Sequence, residues 1–164
     1  NIDGRISLFA GRYDEAIVIF RKNIELDPTW GGDHDLLFQA YAAKGMYPEA
    51  VDAYITALSL LKLAPPSEIE LTRESFLKGG LEGFLRRRLK YLEEKSKTEH
   101  VRPFQLAEFH SRLNQNDNAF ALLNKAFETP TVGLVGWLKY LPSFVNIRSD
   151  PRYDELLLRT GFSR

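Results

Sequence analysis

The stretch GGDHD, Gly31 to Asp35, sets His34 between the carboxylates Asp33 and Asp35, and an imidazole flanked by carboxylates is half of a metal site. The other half needs a second group of ligands at matching spacing, and none follows. The alternative is structural: Asp33 caps a helix and Asp35 lies near its positive end. His100 and His110 have no Ser or Asp placed beside them in the manner of a nucleophile and its base. In FLRRRLKYLEEK, Phe84 to Lys95, the cations Arg86, Arg87, Arg88 and Lys90 stand beside Phe84 and Tyr91, as a nucleic-acid stripe would have them. Yet Leu81, Phe84, Leu85, Leu89 and Leu92 make an apolar helix face, and Glu93 and Glu94 balance the charge, so a solvated helix face is the better reading. GGLEG, Gly79 to Gly83, follows no strand and lacks the Lys-Ser/Thr partner of a phosphate loop. Trp30 and Trp137 are expected in packed positions. No catalytic constellation emerges, and no metal or cofactor is expected.

Composition narrows the field. With 44% apolar and 27% charged residues the chain can bury a core, and 22 basic residues against 22 acidic ones leave no net field to draw in nucleic acid or an anionic membrane. Neither is expected as a partner. Cysteine is absent, which removes disulfides and thiolate chemistry and fits a cytoplasmic setting. No apolar run approaches the roughly 20 residues that cross a bilayer. The chain opens on Asn1 rather than Met, and it is expected to be a piece of something longer.

The elements that position these residues are announced by repetition. GRYDEAIVIFRKNIELDP, from Gly11, and GMYPEAVDAYITALSL, from Gly45, align Gly11 with Gly45, Tyr13 with Tyr47, Glu15 with Glu49, Ala16 with Ala50 and Phe20 with Tyr54, always 34 residues apart. A unit of that size is two helices and two turns. Gly11 and Gly45 end a first helix where a left-handed backbone is needed, and Pro48 opens the next where its missing N–H costs nothing. Ala16 and Ala50 let a partner helix approach, and Phe20 and Tyr54 fill the space between units. The same step predicts a helix pair between about Pro65 and Glu99, with a capping box at Ser67 and Glu70 and a turn at Gly79–Gly80. A step of 35 then places Ala107 and Ala119 at the close-approach positions and Asn114 at the turn.

Leu37, Tyr41, Gly45, Tyr47, Ala50, Tyr54 and Ala57, with Gly4, Gly11, Tyr13, Ala16, Phe20 and Pro28 before them, resemble the tetratricopeptide repeat. Phe38, where that pattern has a small residue, and Asn23, where it has Ala, depart from it. The resemblance implies an all-α fold, a right-handed α-solenoid of antiparallel helix pairs with C-terminal capping helices. It would be a single domain over 1–164, with a truncated repeat at 1–30, repeats at 31–64 and 100–131, a degenerate repeat at 65–99 and a cap at 132–164. Within the cap, TVGLVGWLKYL predicts a short apolar helix, Asp150–Pro151 a helix start and Gly161 a stop, with Tyr153, Leu156 and Leu157 on one buried face. From about Gly80 onward the chain also resembles the endings of tetratricopeptide regions in multidomain bacterial signalling proteins, among them adenylate cyclases, winged-helix regulators and protein kinases.

For function, the resemblance implies a non-enzymatic module that holds a peptide or protein in a concave groove. The groove positions are Arg5, Leu8 and Phe9 in the first unit, Asp35, Gln39, Ala42 and Ala43 in the second, and Phe104, Glu108, Ser111 and Arg112 in the fourth. Phe9 and Phe104 would be apolar anchors. Leu36 and Gln105 stand where the family's carboxylate clamp has polar or basic groups, so clamping of a C-terminal carboxylate is not expected. The alternative is homodimerisation, through Leu8 and Phe9 left without a neighbour at the front. A nucleotide-binding or catalytic domain in the degenerate unit is the remaining reading.

Overall fold

The glycines that punctuate the repeat adopt the backbone it requires, with φ of 74° at Gly11 and 75° at Gly45. Asn114, at the corresponding turn further on, has φ of 58°, and Asn is the side-chain-bearing residue that tolerates this region best. A Cβ at Gly45 would meet nothing within 4 Å, so the penalty of substitution there is purely conformational. Gly45→Ala is accordingly expected to lower stability by about 1 kcal/mol in chemical denaturation. An unchanged midpoint would show that the turn relaxes out of the left-handed region.

The computed structural model describes residues 2–128 and 137–159, and among them every regular element is helical. The chain divides into two units, residues 1–87 and 88–164. In the first, α1 (Ile2–Phe9), α2 (Tyr13–Leu26), α3 (Gly31–Ala43) and α4 (Tyr47–Leu60) each pack on the next. Ala16 and Ala50 are both fully buried, as their role in close approach demands. Leu8, Ala16, Ile17, Phe20, Leu37, Ala40 and Ala53 form one core cluster, with Phe9, Leu36 and Tyr41 packed against it. Leu8 is thus not left without a neighbour: it is fully buried, and the apolar residues that α1 shows to solvent are Ile2 and Ile6. Trp30 also departs from expectation, being 57% exposed at the N-cap of α3 instead of packed.

Phe38 stands where a small side chain is usual, and it meets Tyr54 of α4 at 4.8 Å and Phe84 at 5.8 Å between ring centroids. Tyr54 and Phe84 close the triangle edge to face at 5.4 Å. The large residue is therefore accommodated by aromatic neighbours. Phe84 lies on α5 (Pro66–Ser96), which is broken at Gly80 by φ 58° and ψ −151°, the break expected of Gly79–Gly80. The capping box is not formed as expected. The helix begins at Pro66, before the expected cap, and the N–H groups of Glu68 and Ile69 bond to the Pro65 carbonyl. The acidic side chain that matters is Glu68, buried and paired with Arg87 across the break. The basic run is accordingly not one solvated face: Arg86 and Lys90 are exposed, whereas Arg88 is buried with its guanidinium 4.9 Å from the Tyr91 ring.

In the second unit α6 (Pro103–Arg112) packs on α7 (Asn116–Phe127), and Ala107, Ala119 and Ala126 are buried. A 3-10 helix (Pro142–Ile147) and α8 (Pro151–Arg159) follow. Asp150 starts α8 as expected, its carboxylate accepting the Arg152 N–H at 3.0 Å, and Tyr153, Leu156 and Leu157 are buried. Most of TVGLVGWLKYL, and Gly161, lie outside the described residues.

The tail does more than cover an end. Ser143 donates to Glu108 at 2.9 Å, Asn146 to the Ser111 carbonyl at 3.1 Å, Arg152 to Asp117 at 2.8 Å, and Arg159 to Asn124; every pair is separated by 35 residues. Arg152 lies 4.2 Å from the Phe120 ring and Arg159 4.3 Å from the Phe127 ring, one clasp repeated seven residues on. Hydrogen bonds to Asp150 and then Asp117 raise the Arg152 pKa further, so the clasp is charged at any ordinary pH. The tail thus follows α6 and α7 in the phase of a further repeat.

Candidate protein-binding face

The residues expected to line a groove fall in both units, and each unit is taken by itself. In the first, Arg5 and Phe9 sit one helical turn apart on α1, with the Arg5 guanidinium carbon 6.0 Å from the Phe9 ring centroid. Both are half-buried, because Phe9 also leans on the core cluster. On α3, Asp35 is half-buried and Ala43 exposed, but Gln39 is only 7% exposed. α1 thus offers a cation over an aromatic ring, and α3 a carboxylate and a small apolar position.

The second unit places its candidates differently. Phe104, expected as an open anchor, is 6% exposed and packs at 5.1 Å, edge to face, on Phe144 of the 3-10 helix. Glu108 accepts the Ser143 hydroxyl, and the Ser111 carbonyl accepts the Asn146 amide. Arg112 remains half-buried. The chain's own tail therefore covers Phe104 and engages Glu108. The displacement of 35 residues between partners was the available signal, but Ser143 and Asn146 do not repeat the residue types of Glu108 and Ser111, so a search for recurring types passes over them.

The GGDHD stretch is structural in part. Asp33 is the third residue of α3 and does not cap it; Trp30 occupies the cap position. Asp33 is 7% exposed, and that burial raises its carboxyl pKa from the ordinary value. Burial also lowers the His34 imidazole, opposed by Asp33. Among the described residues no group of three or more His, Cys, Asp or Glu could hold a metal ion. His100 is exposed; His110 is 6% exposed, its Nδ1 2.6 Å from the Gln115 amide oxygen and its Nε2 3.6 Å from Glu93, an interhelical position.

These shifts have definite signs. A carboxyl whose folded pKa lies above its unfolded value near 3.8 costs stability at neutral pH and returns it as the pH falls toward that value. An imidazole whose folded pKa lies below 6.5 costs stability as the pH falls through 6.5. Asp33→Asn is expected to raise the denaturation midpoint at pH 7, with the gain shrinking toward pH ~4, and His34→Gln to remove part of the loss below pH ~6.5. A pH-independent difference between Asp33→Asn and the wild type would contradict the assignment.

No helix among the described residues is long and apolar enough to cross a membrane. Comparison with curated proteins finds no match for the chain. A family model described as tetratricopeptide repeat matches residues 4–29, the stretch that holds most of α1, all of α2 and the Gly11 turn between them, and over that stretch the chain is similar to this family.

Proposed function

We propose that the chain is a non-enzymatic protein–protein interaction module, a right-handed α-solenoid of antiparallel helix pairs that receives a peptide or protein segment along its A helices. Tetratricopeptide repeats generally mediate protein–protein interactions, and the observation that carries the reading is a repeat match at residues 4–29 whose 34-residue phase buries Ala16 and Ala50 alike. The proposed face centres on Arg5, Phe9, Asp35 and Ala43, with Gln39 beneath it supporting α3. In the second unit, taken by itself, Arg112 on α6 is the accessible candidate, whereas Phe104 and Glu108 are engaged by that unit's own tail. In this reading the module serves a larger cytoplasmic signalling or regulatory protein, as its second resemblance implies.

Selection of a displayed peptide library on the intact chain tests the reading. Enriched peptides should lose at least tenfold in affinity, about 1.4 kcal/mol, against Ala43→Glu and Arg5→Glu, and keep it against a change at exposed Glu25 on α2, Glu25→Arg. Peptides that bind all three variants equally would sink the proposed face. Homodimerisation is the second reading, and Ile2 and Ile6, 74% and 53% exposed on α1, favour it in place of Leu8 and Phe9. Under it, light scattering would give a dimer mass that Ile6→Glu abolishes.

A further inference from the structure

We draw no further inference here: the strongest candidate, the exposed apolar patch of Leu26, Trp30, Leu60, Leu61 and Leu63 near the ends of α2 and α4 in the first unit, carries nothing because no feature of the structure shows what covers it.

Discussion

Phe20→Ala is expected to remove about 3–5 kcal/mol from the first unit, a large part of what a domain of this size has to spare. The ring is fully buried in the cluster that joins α1, α2, α3 and α4, so truncation leaves a cavity that the surrounding helices would have to close together. Gly4 makes the prediction sharper. A Cβ built on Gly4 falls 2.5 Å from Cε1 and 2.9 Å from Cδ1 of Phe20, nearer than carbon atoms approach, and a ring with no exposed surface has nowhere to move. Replacing Gly4 by Ala gains about 1 kcal/mol of helix propensity but meets an overpacking cost of about 1–3 kcal/mol. In the native background Gly4→Ala should therefore destabilise. In the Phe20→Ala background the obstructing ring is gone and the same change should stabilise. Urea denaturation followed by circular dichroism on the four proteins gives the coupling, expected at about 2 kcal/mol. The milder Phe20→Leu serves should the truncated protein not fold. A Gly4→Ala effect of the same sign and size in both backgrounds would mean that α1 does not pack on Phe20 as described.

Gly4 and Phe20 also show which features were legible in the sequence. Both stood out through the repeat pattern, because a close helix approach admits few side chains and the ring beside it must fill a space of fixed size. Gly11, Gly45 and Asn114 were legible for a similar reason: a left-handed turn restricts residue type through local backbone sterics alone. Leu8 and Trp30 were not. Leu8, at the front of α1 in the repeat register, is buried, while Trp30, large and apolar, is mostly exposed. Which face of a helix or loop is covered depends on the path of neighbouring segments, and residue type carries no record of that path.

The same distinction applies to the proposed binding face. Arg5, Phe9, Asp35 and Ala43 stand at positions a repeat register can assign; the first three are half-buried and Ala43 is exposed. Phe104 occupies an equivalent register position on α6, yet Phe144 covers it. Its register position is the same whether its cover is a partner or the chain itself. The tail's phase is not legible in residue types, because Pro142 and Asp154 lie 35 residues beyond Ala107 and Ala119, where the repeat pattern has small residues. Its phase is written instead in polar contacts whose two ends differ in type, and these become visible only in three dimensions.

Glu68→Ala is expected to loosen the hairpin of α5 and to lower the stability of the first unit by about 3 kcal/mol. Glu68 is 3% exposed, and its carboxylate receives the Arg87 guanidinium at both oxygens, with Nε 3.1 Å from Oε1. The pair spans the Gly80 break, 19 residues apart in sequence, so it fastens one arm of the helix to the other. The Thr72 hydroxyl, itself fully buried, donates to the Glu68 carbonyl at 2.8 Å and holds the first arm's turn in place. Removing a buried partner costs more than the pair contributes, because the remaining ion is left partly desolvated without its counter-charge; Arg87 retains 26% of its side-chain exposure, which sets the expectation at the lower end of the about 3–5 kcal/mol range. Glu68→Gln keeps one acceptor and should lose roughly half as much. A second, purely steric variant tests the same hairpin: a Cβ on Gly83 would lie 2.3 Å from the Ser75 carbonyl oxygen, and since that atom is backbone the arms themselves must part. Gly83→Ala should thus cost about 2 kcal/mol despite its better helix propensity. Amide hydrogen exchange locates the effect. Both variants should accelerate exchange along residues 66–87 while leaving α7 in the second unit protected. Gly83→Ala as stable as the wild type, or uniform acceleration in both units, would show that the arms are not clamped at these two points.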